Sequence, residues 1–283
     1  ALIPPMNEDG SVNLSKIDEI VEEQIEGGVA AIVSCGTTGE GSTLSREEHV
    51  EVMRHTIKAV NHRIPVVAGT GSNDTAFAVE LSKEAEEMGA DGLLLVSPYY
   101  NKASQKGLIE HYTYIADRVN IPIILYNVPS RTGTNIACET YKVLSAHKNI
   151  VAVKEANGDI SSVAHTVSLC GDSLDIYSGN DDQVIPMISL GGKGVISVFS
   201  NFAPKTMSEI TGLALEGKFK EATALQSKYL ELMNSMFIDV NPIPVKEAMN
   251  LLGYNVGPCR LPLCEMEDKN REALQKALRV LEG

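Results

Sequence analysis

Short runs of β-branched and aliphatic residues recur along the chain as far as Val198, at positions 2–3, 30–35, 64–68, 92–96, 121–126, 150–154, 174–177 and 194–198. They are nearly continuous in apolar character, which predicts strands buried on both faces of a parallel sheet. Amphipathic stretches lie between them. In Ser15-Lys16-Ile17-Asp18 the serine is expected to cap a helix, with Asp18 completing a capping-box-like pair. Ile17, Ile20, Val21 and Ile25 then form the buried stripe, and Gly27-Gly28 ends it. Ser45-Arg46-Glu47-Glu48 repeats the device ahead of Val50, Val52, Met53 and Ile57. Further helices are predicted over 74–88, 104–118, 136–147, 159–169, 181–190 and 205–215.

Eight such alternations predict an α/β chain of the (β/α)8 TIM barrel type over residues 1–217. An open doubly wound sheet would stop near six strands and carry a glycine-rich dinucleotide turn after the first; none follows Leu2-Ile3. Residues 218–283 read as a C-terminal helical appendage of three helices, 219–236, 244–252 and 268–281. Leu2-Ile3 has the character of a strand interior, so a few residues are expected ahead of Ala1.

The formal net charge of −13 argues against a nucleic-acid partner, which calls for clustered Lys and Arg on one face. It leaves open a small acidic substrate, because one arginine or a few backbone amides bind a carboxylate locally. The five cysteines show no CxxC or zinc spacing, and the six histidines form no HxH or HExxH, so no metal is expected. Most of the thiols sit in apolar stretches, as reduced core residues do. No apolar run approaches the ~20 residues that cross a bilayer, and the first residues lack a charged segment followed by an apolar one. A cytoplasmic enzyme without membrane contact is the expectation.

Catalytic groups of such barrels sit at the carboxyl ends of the strands, which ranks the polar residues. Lys154 ends Val151-Ala152-Val153-Lys154, an otherwise apolar run. A desolvated neutral amine attacks a ketone carbon, and the imine that forms is an electron sink; the alternative is a lysine paired with Glu155 or a neighbouring acid. Tyr126 ends the preceding run and should stand next to Lys154, either as a proton carrier or as a packed ring. Arg131, in Asn127-Val128-Pro129-Ser130-Arg131-Thr132-Gly133, has a fork suited to a carboxylate, with a solvated loop arginine as the alternative.

The turn Gly36-Thr37-Thr38-Gly39-Glu40-Gly41 sets amides and hydroxyls where they could cradle a carboxylate; lacking Gly-Lys-Ser/Thr, it is not a nucleotide loop. Ser97-Pro98-Tyr99-Tyr100-Asn101 follows the fourth run and suits a contact surface or a catalytic role, and Gly179 follows the seventh. Gly191-Gly192-Lys193-Gly194 precedes the eighth run and is expected to be a tight helix-to-strand turn.

Gly36-Thr37-Thr38-Gly39-Glu40, Ser97 to Asn101, Tyr126 to Gly133, Val153-Lys154-Glu155-Ala156 and Asn241-Pro242-Ile243-Pro244-Val245-Lys246 together resemble the dihydrodipicolinate synthase family of the pyruvate-dependent class I aldolases. The resemblance spans nearly the whole chain. It implies condensation of pyruvate with aspartate-β-semialdehyde in lysine biosynthesis, with no metal or organic cofactor. Lys154 would be the Schiff-base residue, Thr37 and Thr38 would hold the pyruvate carboxylate, and Tyr126 would shuttle protons. Thr38 would link Tyr126 to Tyr100, the latter inserted from a neighbouring subunit of a dimer or tetramer. Arg131 would bind the semialdehyde carboxylate, and backbone groups at Gly179 and Ile196 would line the pocket.

The resemblance also implies a lysine-binding regulatory site at Ser42, Arg46, His49, Asn73, Phe77 and Tyr99. Lysine-sensitive members carry an acid at the Phe77 position and a histidine at the Arg46 position. An apolar ring cannot pair the effector's ammonium and an arginine repels it, so feedback inhibition is expected to be weak or absent. Sister lyases acting on N-acetylneuraminate or 2-keto-3-deoxy sugar acids share the lysine and tyrosine. Arg131 and the paired threonines favour a short acidic aldehyde over a sugar. A non-catalytic barrel would be expected to have lost the lysine or the relay tyrosines, and neither is lost.

Overall fold

A computed structural model of the chain describes residues 1–282. Their order is α1 (Leu14–Glu26), β1 (Ile32–Ser34), α2 (Arg46–Val60), β2 (Val66–Gly69), α3 (Thr75–Glu87), β3 (Gly92–Val96), α4 (Gln105–Ala116), β4 (Ile123–Asn127), α5 (Pro129–Thr132), α6 (Cys138–Leu144), β5 (Ile150–Glu155), α7 (Ile160–Cys170), β6 (Asp175–Ser178), α8 (Val184–Ser189) and β7 (Gly194–Val195). Then follow α9 (Pro204–Leu215), α10 (Phe219–Ser235), α11 (Ile243–Leu251) and α12 (Asp268–Leu278). Two compact units result: one is Pro65–Ile196, and the other joins Ala1–Ile64 to the chain from Ser197 onward.

In the unit Pro65–Ile196, β2 to β7 pair in parallel and in chain order, each consecutive pair separated by helix. Leu93, Leu95, Ile123, Leu125 and Val153 are fully buried, and the helices add Leu108, Tyr112, Ile115 and Tyr141, which is why the runs lack alternation. The register sets Tyr126 beside Lys154 and Lys154 beside Tyr177. The last predicted run shortens to Gly194–Val195, and a 3-10 turn at Asp181–Gln183 precedes α8. Gly191, at φ +104, and Gly194, at φ +150, form the expected helix-to-strand turn.

This unit also buries His111 of α4, whose Nδ1 hydrogen-bonds the Thr75 hydroxyl at 2.8 Å. Desolvation disfavours its imidazolium and lowers its pKa from 6.5 to about 4. The unfolded chain therefore takes up a proton near 6.5 that the folded chain refuses until about 4, so stability falls as pH drops through that window. At about 1.4 kcal/mol per unit the contribution is about 3 kcal/mol. Urea unfolding at pH 7 and pH 4.5 should show a smaller acid-induced loss for His111→Asn than for the parent; equal losses would assign the acid sensitivity elsewhere.

In the other unit α1 buries Ile17, Ile20 and Val21 as its pattern predicts. Its cap is Asn13, which accepts from Lys16 N–H; Ser15 does not cap and instead donates to Asn13 Oδ1 at 2.9 Å. Two capping-competent residues stand two apart here, and only the backbone at Asn13 is outside the helix. Ser45 and Glu48 do form the capping box of α2. The predicted first strand, Leu2-Ile3, forms no ladder: Leu2 N–H bonds the Val33 carbonyl at 2.9 Å, but Ile3 N–H bonds the Asn201 side chain at 3.0 Å. Gln24 is buried and donates to the carbonyls of Ser200 and Asn201, fixing α1 to the turn before α9.

All five cysteines are free, and burial pushes the Cys35 and Cys259 thiols up to about 12. Among the described residues no helix is long and apolar enough to cross a membrane.

Candidate active site

Lys154 and Tyr126 are register partners at the carboxyl ends of β5 and β4, and are 4% and 6% exposed. Side chains of matched residues on neighbouring parallel strands point the same way. The lysine Nζ accordingly stands 4.3 Å from the centroid of the Tyr126 ring, over its electron-rich face. Glu155, weighed above as the lysine's ion partner, alternates to the opposite face and is bonded to Asn127 and Tyr141 instead. Burial pushes its carboxyl up to about 7, against the pull of hydrogen bonds from Asn127, Tyr141 and the Asn157 amide.

Arg131 lies not in open loop but in the helical turn α5, with Pro129 in its first positions and its side chain exposed. Gly133 ends the turn at φ +70, a left-handed conformation that disfavours any side chain. The Thr132 hydroxyl braces the turn by donating to the Thr134 carbonyl at 2.9 Å. At the exit of β6, Gly179 donates to the Glu155 carbonyl at 2.8 Å, and a Cβ there would stand 2.6 Å from that of Ala156. Ile196 N–H donates to the Ser178 carbonyl at 2.8 Å. Both amides are committed to the sheet.

Tyr100 is 90% exposed and sits at φ +71, beside the 36% exposed Tyr99. Two asparagines brace this turn: Asn73 Nδ2 donates to the Tyr99 carbonyl at 3.2 Å and Asn101 Nδ2 to the Asn73 carbonyl at 3.0 Å.

Thr37 and Thr38 belong to the unit that contains the chain termini. Their loop folds back on Cys35: a Cβ on Gly39 would lie 2.9 Å from Cys35 Cα, and one on Gly41 2.5 Å from its carbonyl oxygen. Thr38 is buried, and its hydroxyl accepts from Asn241 Nδ2 at 3.0 Å. Glu40 and Lys246 form a buried ion pair at 2.9 Å, their side chains 0% and 2% exposed. Lys246 also donates to the Pro258 carbonyl, and the second Glu40 oxygen accepts the Arg260 N–H at 3.0 Å. The Arg260 guanidinium grips both Glu48 oxygens. Asn241 and Lys246 stood out in the sequence only as parts of a motif; the structure makes them the support of the threonine loop. The legible signal was a lysine within Ile243-Pro244-Val245-Lys246, inside a stretch that is otherwise apolar.

A lysine and a tyrosine buried side by side at the carboxyl ends of parallel strands are what a class I aldolase-type lyase of the (β/α)8 barrel class presents. The sequence matches the Dihydrodipicolinate synthetase family over residues 1–281, and the chain belongs to that family. It is 52% identical over 278 residues to the 4-hydroxy-tetrahydrodipicolinate synthase of Clostridium novyi (strain NT), covering 98% of this chain and 94% of that one. Its fold superposes with a TM-score of 0.98 on the chloride-inhibited dihydrodipicolinate synthase of Acinetobacter baumannii complexed with pyruvate, at 43% identity and covering 100% and 97% of the two chains. The enzyme from Cyanidioschyzon merolae with lysine bound gives 0.96, at 37% identity and with 100% and 96% covered. The fold class is thus a TIM barrel with C-terminal helices.

Proposed function

We propose that this chain condenses pyruvate with aspartate-β-semialdehyde to 4-hydroxy-tetrahydrodipicolinate, through an imine of pyruvate on Lys154. The observation that carries the reading is the lysine itself: an amine, 4% exposed, ending a strand over the ring of Tyr126. Its nitrogen adds to the ketone carbon, and loss of water leaves the imine. Loss of a methyl proton gives the enamine, whose carbon attacks the aldehyde. The substrate amine then displaces Lys154 as the ring closes. The pyruvate held by the Acinetobacter baumannii relative supports the donor substrate.

The other roles follow the family resemblance. Thr37 and Thr38 take the pyruvate carboxylate, Arg131 the semialdehyde carboxylate, and backbone groups at Gly179 and Ile196 line the pocket. Tyr126 moves protons to and from the imine and enamine, with Thr38 and Tyr100 completing the relay; acid–base catalysis of this kind contributes ~10²–10⁴-fold. A tyrosine 90% exposed at a left-handed φ supports the reading that Tyr100 enters a neighbouring subunit of a dimer or tetramer. The barrel occupies 1–217 and the appended helices 218–283 of a cytoplasmic enzyme that uses no cofactor.

A coupled assay with pyruvate and aspartate-β-semialdehyde, run with and without lysine, tests substrate and regulation together. Product should form at rates that millimolar lysine leaves nearly unchanged, since Phe77 and Arg46 offer the effector's ammonium no partner. Cleavage of N-acetylneuraminate without activity on the semialdehyde would reassign the chain to a sister lyase. Inhibition by submillimolar lysine would overturn the regulatory reading alone.

A further inference from the structure

One rung beyond Tyr126 and Lys154 on the β4–β5 ladder stand Asn127 and Glu155, buried on the opposite face at 0% and 4% exposure. The Asn127 amide donates to the two carboxylate oxygens at 2.9 and 3.1 Å and to Asn135 Oδ1 at 2.8 Å. Its oxygen accepts the Ile136 N–H at 3.1 Å. From α6 the Tyr141 hydroxyl donates to Glu155 Oε2 at 2.8 Å, and the Asn157 N–H donates to Oε1 at 2.9 Å.

A carboxyl group in an apolar layer is expensive to bury, and aliphatic side chains would fill the space at less cost. What its bonds have in common is their attachment points. They join the strand end that carries Tyr126, the strand end that carries Lys154, and the segment 135–136 that follows the Arg131 turn. The Glu155 carbonyl adds the Gly179 amide. From α4, Gln105 bonds the same segment, donating to the Asn135 carbonyl at 2.8 Å and accepting the Ala137 N–H at 3.0 Å.

We propose that Asn127 and Glu155, backed by Tyr141, are positioning residues for the condensation: from the far face of the sheet they hold the Lys154 amine over the Tyr126 ring and fix the seat of the Arg131 turn. The proposal rests on the reading of Lys154 as the imine-forming residue. The Tyr141 hydroxyl meets this network at the carboxylate, whereas the Asn127 side chain also holds the segment after the Arg131 turn, so the two have separable consequences. Displacing a reacting amine by about 1 Å slows attack on the order of 10²-fold.

The test follows the rate of borohydride-trapped pyruvate on Lys154 and the KM for the semialdehyde in Tyr141→Phe, Glu155→Gln and Asn127→Ala, with thermal midpoints alongside. Tyr141→Phe should slow trapping about tenfold with the semialdehyde KM unchanged. Asn127→Ala should slow it further, on the order of 10²-fold, and raise that KM as the arginine segment is released. Glu155→Gln, which keeps the size of the side chain, should resemble Tyr141→Phe and serves if Asn127→Ala does not fold. Trapping within twofold of the parent in folded variants would overturn the proposal. So would parallel losses of trapping rate and KM that track the thermal midpoint in every variant. If the parent itself forms no adduct on Lys154, the functional reading falls and takes this one with it.

Discussion

Replacing Lys154 with alanine should abolish the pyruvate adduct that borohydride traps on the parent chain, read by mass spectrometry of the peptide containing position 154. Turnover should fall by at least about 10³-fold, because removing a covalent nucleophile leaves only binding and polar stabilisation. The prediction is sharp because the proposed chemistry has one point of attachment, an amine 4% exposed at a strand end, with Glu155 facing away from it. The strand should survive the change: Val153 and Ala152 supply its buried packing, and the variant loses a polar group, not an apolar one. An adduct retained on another lysine, or undiminished turnover, would move the reaction off Lys154.

Lys246→Met should be the most destabilising of the single changes considered. It leaves the Glu40 carboxylate buried and without its ion partner, an arrangement that costs about 3–5 kcal/mol. For a chain of this size the loss corresponds to a fall in thermal midpoint on the order of 10 °C. Pairing it with Glu40→Gln, which removes the stranded charge but keeps an acceptor for the Arg260 N–H, should recover a good part of the loss. Calorimetry of the two variants decides the matter: a single variant as stable as the parent would show that the pair contributes nothing net, and a double variant worse than the single would show that a stranded Glu40 charge is not the cause of the loss. Pyruvate trapping in the single variant should slow as well, since the Thr38 loop is held from Lys246 and Asn241.

Much of the fold was legible because its signals are local. Apolar runs without alternation marked β1 to β7, and Ser45 with Glu48 marked the start of α2. Leu2-Ile3 failed as a strand because the Ile3 N–H is taken by the Asn201 side chain in place of a neighbouring strand, and Ser15 failed as a cap because Asn13 competes for the same amides. Lys154 was legible as one polar residue closing an apolar run. Asn127, Glu155 and Tyr141 were not, since their meeting depends on ladder register and on the far face of the sheet. The pairing of Glu40 with Lys246 was invisible for a simpler reason: 206 residues separate them, and no periodicity reaches that far.

The same separation bears on how the chain is made. Ala1–Ile64 leaves the ribosome ahead of the residues that follow it, yet Glu40 finds its cation only when residue 246 has been synthesised, and Ile3 its side-chain acceptor only at residue 201. The continuous stretch Pro65–Ile196 emerges whole in the interval, at about 5–20 residues per second, while the opening segment waits with its acid unanswered. A nascent chain stalled before α11 would therefore lack the anchors of its threonine loop, however well its middle had formed.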